Sequence, residues 1–230
     1  RTRDQGLDVD TLGQLATWIL FGGFIGARLM HVFAYRWVDY QDNLMEIPQM
    51  WKGGMSSYGG FVGAGLAGTF YLIRNRVAFM KYADVALYGF IPGWTIGRIG
   101  CFAIHDHPGV KSDFFLATEM LTLNLQTGMP EIAARHDLGL YDGFLTLFIW
   151  GFLVWGAKAK RFDGWYLGWS CVLYAIPRFF LDYLRATDLA VSDTRYAGLT
   201  PAQYGSIVLL AIGGWVLWTR RNTSTTPASS

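Results

Sequence analysis

Six apolar stretches set the terms on which this chain can fold. They lie near residues 11–35, 59–73, 84–104, 143–157, 164–184 and 202–219. A helix needs ~20 apolar residues to cross a bilayer's hydrocarbon core, and most of the six approach that length. The second and fourth are short, which leaves tilt, snorkelling ends or partial re-entry open for them. Only 16% of the residues are charged and 52% are hydrophobic, against roughly 25% charged in an ordinary soluble domain. The expectation is all-α: a polytopic integral membrane helix bundle of about six spans with an outer, periplasmic loop region. Residues 1–221 would form a single transmembrane domain, and 222–230, "NTSTTPASS", a solvated disordered tail.

Basic residues orient the bundle. Arg1 and Arg3 precede the first span, and Arg74, Arg76 and Lys81 separate the second from the third. Lys158, Lys160 and Arg161 separate the fourth from the fifth, and Arg220 and Arg221 follow the sixth. In a simply alternating chain all of these fall on one side, the cytoplasmic one. The connections 36–58, 105–142 and 185–201 then face outward, and the longest of them, 105–142, reads as irregular. No basic run interleaved with aromatics is present, so nucleic acid is excluded as a partner. Cys101 and Cys171 form no CxxC pair and read as core residues.

Three arginines sit within or at the ends of apolar stretches: Arg28, Arg98 and Arg178. An arginine in a membrane span costs at least ~2.5–3.5 kcal/mol on insertion scales, so it faces a cavity, a counter-charge or the headgroup layer. Snorkelling to a headgroup accounts for Arg28 as readily as a binding role does. Arg98 and Arg178 both fall in the outer halves of their spans, near one interface. In "RFFLDYLR", Arg178, Asp182 and Arg185 stand at i, i+4 and i+7, which predicts one helical face carrying a cation–carboxylate–cation ladder. Such a ladder suits a phosphate, whose oxygens arginine's fork meets bidentately. The glycines of "WKGGMSSYGGFVGAGLAG" predict close helix approach, with Gly63, Gly65 and Gly68 serving packing. "HDHPG" (His105, Asp106, His107) suggests proton transfer or headgroup orientation. No metal is expected, because neighbouring positions in a short loop rarely aim three ligands at one ion.

These residues resemble the prolipoprotein diacylglyceryl transferase family. The family's G-R-[IL]-G-N-F-x-N-G-E-x-x-G run reads "GRIGCFAIHDHPG" here, matching Gly97, Arg98, Ile99, Gly100, Phe102 and Gly109, with Asp106 in the glutamate's place. Further blocks follow in the family's order: "GARLMHVFAY" places Arg28, "RHDLGLYDG" retains His136, Leu140 and Tyr141, "RFFLDYLR" places Arg178, Asp182 and Arg185, and "LTPAQYGSI" places Gln203. The resemblance runs from about residue 11 to 221. The family has seven spans, so its first helix is expected upstream of Arg1.

What the resemblance implies is transfer of a diacylglyceryl group from phosphatidylglycerol to the lipobox cysteine thiol of a preprolipoprotein, forming a thioether at the outer face of the bacterial inner membrane. Membrane lipids and the signal peptide would be the partners, and no cofactor is needed. Arg98 and Arg178 would bind the phosphate, joined in substrate binding by Arg28, Asp182, Arg185, Tyr141 and Gly109. The departures concern the base. The family's loop histidine is Tyr58, its asparagines are Cys101 and Ile104, and three glutamates are Asp106, Asp142 and Asp182. A phenol, with an unperturbed pKa of ~10, is a poor base near neutral pH, so His105, His107 or Asp106 would take that work beside Tyr58. A transferase with another acceptor or donor, or an inactive lipid-binding paralogue, is the alternative.

Overall fold

The computed structural model describes residues 6–125, 127–189 and 195–223. Arg1, Arg3 and most of the expected tail, 224–230, lie outside the described residues. The chain is helical as expected, with α1 Val9–Met30, α2 Trp37–Tyr40, α3 Ser57–Arg74, α4 Phe79–Ile104, α5 Leu138–Gly156, α6 Trp165–Leu181 and α7 Pro201–Thr223. All but the short α2 coincide with the six apolar stretches. Among the described residues, three segments are both long and apolar enough to cross a membrane: Val9–Ala34, Leu138–Gly156 and Pro201–Arg221. Their large side chains point outward, among them Phe21, Phe24, Phe144, Phe148, Val208 and Trp215. A surface that apolar is costly in water and neutral in lipid.

Two compact units divide the chain, Arg1–Ala86 and Leu87–Ser230. In the first, α1 and α3 run antiparallel with their backbones in contact. A Cβ on Gly26 would come within 2.3 Å of the Gly59 carbonyl oxygen, and one on Gly63 within 2.2 Å of that of Gly22. Glycine at these positions is what lets the helices touch. Gly68 meets the Ile19 side chain, whereas Gly65, also expected to serve packing, faces open space. Leu15, Tyr71, Leu72 and Tyr82 close the core beside this crossing.

The second unit packs Ile91 of α4, Ile149 and Leu153 of α5, and Trp165 and Tyr166 of α6 into one core. Gly168 and Gly213 bring α6 and α7 together, and Cys171, buried as expected, lies against Gly213. At the basic turn after α5, Arg161 donates to the Gly156 carbonyl at 3.0 Å and stacks over Trp165.

The connection 105–142 is more ordered than expected. It forms a three-stranded antiparallel sheet in the order β1-β3-β2, from β1 Pro108–Lys111, β2 Thr118–Leu123 and β3 Pro130–Asp137. Strand alternation is hard to read here because both faces carry apolar residues: Met120 is buried while Leu121, Leu123 and Ile132 are exposed.

Candidate functional site

Three helices, α4, α5 and α6, meet at one carboxylate in the second unit. Asp142, in the second turn of α5, is 1% exposed. Its Oδ2 lies 3.4 Å from Nη2 of Arg98 on α4 and 3.7 Å from Nε of Arg178 on α6. Its Oδ1 has no hydrogen-bond partner among the described residues. Arg178 also donates to Asp182 Oδ1 at 2.9 Å. The other Asp182 oxygen accepts from the Thr200 hydroxyl, and Gln203 ties Thr200 to the Phe179 carbonyl. Asp182 is thus fixed in place from α7, and it holds Arg178 firmly.

The contacts to Asp142 are the long ones. Two guanidiniums share this acid at 3.4 and 3.7 Å, and arginine's planar fork is the group that meets a phosphate bidentately. Arg98 is further braced by the face of Trp94, 4.9 Å from its guanidinium carbon, and by the Tyr174 hydroxyl. Charges this deep need such partners, since an uncompensated buried cation is strongly destabilising.

The predicted ladder stops short of Arg185. Helix α6 ends at Leu181, a single 3-10 turn carries Asp182–Leu184, and Arg185 is extended and bridges Gly109 of β1. Arg178 and Asp182 therefore pair at i,i+4, but Arg185 does not continue their helical face, because the chain turns there to join the sheet. Gly109 is packed into that junction. A Cβ on it would lie 2.8 Å from His136 and from the Leu184 carbonyl.

Helix α4 ends in a Schellman turn. His105 takes a left-handed conformation (φ 51), its N–H bonds Phe102 O at 3.2 Å, and Asp106 N–H bonds Cys101 O at 3.4 Å. This reversal sends the two histidines in different directions. His105 Nδ1 meets Asp137 Oδ2 at 2.7 Å, while Oδ1 of the fully buried Asp137 caps α5 through Gly139 N and Leu140 N. His105 therefore staples the end of α4 to the start of α5. His107 instead pairs through Nδ1 with Asp106, and its Nε2 lies 3.4 Å from Arg98 Nη1. With Nδ1–H donated to the carboxylate, Nε2 carries the lone pair that faces the arginine.

The sheet is anchored by Arg135, which is fully buried and donates from both Nη atoms to Asp188, at 3.0 and 2.6 Å, and to the Gly109 carbonyl at 3.1 Å. Hydrogen bonding from Arg135 holds the Asp188 carboxyl below its ordinary range, and Lys111 and Asn124 do the same for Glu131 at the sheet's edge. Tyr141 bonds His136 Nδ1 through its hydroxyl at 2.7 Å. Its ring lines an open apolar groove of about 510 Å³ with Leu145, Pro177, Phe180, Leu181 and Leu184. The groove begins one residue from Arg178.

In the first unit, Arg28 is 2% exposed and its donors go to backbone carbonyls. Nε meets Ile47 O at 2.7 Å, Nη1 meets Gly53 O and Gly54 O at 2.6 and 3.0 Å, and Nη2 meets Glu46 O at 2.8 Å. This arginine organises the 46–54 loop; the sequence left it between headgroup snorkelling and substrate binding. The left-handed Gly54 (φ 76) has no room for a side chain between His31 and Arg28. Tyr58 lies in the first turn of α3, behind the Ser56 N-cap.

A sequence profile of the prolipoprotein diacylglyceryl transferases matches residues 1–219. Curated proteins named phosphatidylglycerol–prolipoprotein diacylglyceryl transferase are similar along most of the chain. That of Roseobacter denitrificans is 32% identical, covering 88% of this chain and 74% of its own. Those of Nitratidesulfovibrio vulgaris and Thermosynechococcus vestitus are 30% and 28% identical, each covering 94% of this chain and 79% of its own. The chain belongs to the prolipoprotein diacylglyceryl transferase family. It is a membrane protein and a transferase, as its motifs imply.

Of the expected site residues, the structure brings together Arg98, Arg178, Asp182, Asp106 and His107, with His105 and Tyr141 at the margins. The residue that joins them, Asp142, appeared in the sequence only as a glutamate substitute. A second acid close to the outer end of a span, on a chain with two unexplained arginines, was the available signal. Asp137, Trp94 and Thr200 carried no signal of their own.

Proposed function

We propose that this chain transfers the diacylglyceryl group of phosphatidylglycerol to a lipobox cysteine thiol of a prolipoprotein, at the periplasmic face of a bacterial inner membrane. The observation that carries the reading is the pair of arginines loosely sharing Asp142 beside an apolar groove. A phosphodiester needs cationic donors within reach of the lipid's own depth, and an acyl chain needs a lipid-facing slot next to them. The Tyr141–Leu184 groove meets that second need. Six spans, with the basic turns cytoplasmic and 105–142 outside, put both features on one side, and residues 1–221 act as a single transferase domain.

In this reading the headgroup phosphate draws Arg98 and Arg178 away from Asp142. As Arg98 Nη1 turns to the phosphate, His107 Nε2 is released to accept the proton of the acceptor thiol, with Asp106 holding the ring's tautomer. The resulting thiolate is the nucleophile. Its sulfur bonds to the glyceryl carbon as that carbon's bond to the phosphate oxygen breaks. Glycerol phosphate leaves with the electron pair, its growing charge met by the two guanidiniums, and the proton passes from His107 to solvent. His105 is committed to Asp137 and serves as the staple, so the base is assigned to His107. Arg28 and Gly109 shape their loops, and no phosphate contact is assigned to them.

Complementation tests the reading. A bacterium depleted of its own transferase should regain growth and lipid-modified lipoproteins when it expresses this chain. Membrane-inserted protein with no rescue and no modified product would contradict it.

A further inference from the structure

We propose that the turn after α4 is a binding site for a zinc-class divalent cation, with Cys101, Asp106 and His107 as its three protein ligands and with transfer shut off when it is filled. The reach of one donor atom from each residue is already short: a sulfur, a carboxylate oxygen and an imidazole nitrogen all lie within 4.8 Å of one another. On a tetrahedral zinc ion the same donors would stand about 3.3–3.5 Å apart, so closure asks for side-chain movement of about 1 Å and no refolding.

The Schellman turn explains how a short loop assembles three ligands. Read along the sequence, the trio would have been His105, Asp106 and His107, and adjacent positions diverge. The left-handed turn at His105 directs that imidazole to Asp137 and folds the next two residues back over the helix end. Asp106 and Cys101 thereby become the pair flanking the 6→1 hydrogen bond. That pair is ordinarily an apolar contact; here it is a thiol beside a carboxylate, with His107 already docked on Asp106. Cys101 and His107 are half-buried and Asp106 is exposed, which leaves a route for an ion and an open fourth position. Thiolate, imidazole and carboxylate together favour zinc or cobalt over magnesium or calcium, which prefer all-oxygen sites.

Occupancy and transfer are antagonistic. Arg98 Nη1 lies 4.0 Å from Cys101 Sγ and 3.4 Å from His107 Nε2. A divalent cation held by those atoms repels the guanidinium that the phosphate needs and takes the lone pairs of the Asp106–His107 dyad. The binding claim is independent of the proposed reaction; the inhibition claim rests on it.

The test uses the full chain in lipid nanodiscs. Titration with cobalt(II) chloride should raise a near-ultraviolet thiolate-to-cobalt charge-transfer band that saturates at one ion per chain. Cys101→Ser should abolish the band and His107→Ala should weaken binding about 100-fold or more. Cys171→Ala, a change in the core, should leave the band intact, and zinc should displace it. Zinc at about ten times its dissociation constant should leave roughly a tenth of the transfer rate, the fraction of chains without an ion. Cys101→Ser should transfer normally and resist zinc. Wild-type protein with no band up to millimolar cobalt, or a band that survives Cys101→Ser, overturns the site. Equal zinc inhibition of wild type and Cys101→Ser overturns its coupling to transfer. A wild-type chain that binds cobalt but transfers nothing would fail the proposed reaction and leave the site standing.

Discussion

Replacing Asp142 by asparagine probes the arrangement at its centre. Asparagine keeps the volume and removes the charge, so two buried guanidiniums lose a shared partner. Arg178 keeps Asp182 at 2.9 Å. Arg98 keeps the Trp94 face, the Tyr174 hydroxyl, the His107 ring and Cys101 Sγ, none of them a carboxylate, so the loss falls mainly on Arg98. Breaking one side of a buried pair costs roughly 3–5 kcal/mol. The contacts to Asp142 are long and the Arg98 side chain retains 13% exposure, which places the cost at the low end, about 3 kcal/mol. For a chain of this size that is a fall of roughly 6–12 °C in melting temperature. Tryptophan-fluorescence melts in detergent at neutral pH would measure it. Repeating the change in an Arg98→Met background should shrink the loss by about 1–3 kcal/mol, the coupling expected of residues in direct contact. A fall below about 2 °C, or an equal fall in both backgrounds, would refute the view that Asp142 holds Arg98.

Two further outcomes concern the scaffold. The depressed Asp188 carboxyl contributes stability that is present above its unfolded value of 3.8 and lost as pH falls through the lower folded value. Amide protection factors across residues 108–137 should therefore stay high from neutral pH down to near 4 and fall below it. Asp188→Asn should remove that acid step and cost about 1.5–3 kcal/mol at neutral pH, because Arg135 stays buried; an unchanged acid step would contradict the pairing. Gly63→Ala should cost about 1–3 kcal/mol by forcing α3 off the Gly22 carbonyl, whereas Gly65→Ala, with open space beside it, should stay within about 0.5 kcal/mol. Equal melting temperatures for the two would refute the close crossing.

The helices were legible in the sequence because each must be continuously apolar on its lipid side, a demand that leaves long blocks. The sheet was not, because exposed Leu121 and Ile132 and buried Met120 alternate against the usual sense. The resemblance placed Arg98 and Arg178, and helical spacing paired Arg178 with Asp182. The same spacing failed at Arg185, since periodicity holds only while the helix lasts and α6 ends at Leu181. A lone arginine in a span shows that a charge needs a partner without naming it. Arg28 found four carbonyls of its own loop, and Arg98 found an acid on another helix. His105 and His107 are two residues apart in sequence and were interchangeable there; one left-handed backbone turn gives them different tasks.

The central claim is that Arg98 and Arg178 meet the phosphate of the departing group. Single-turnover transfer from phosphatidylglycerol vesicles to a lipobox peptide, followed by mass spectrometry of the thioether product, tests it most directly. Wild-type chain should form product, and Arg98→Ala and Arg178→Ala should each slow that step by about 100-fold or more while remaining membrane-inserted and folded. Wild-type rates in both variants would contradict the account.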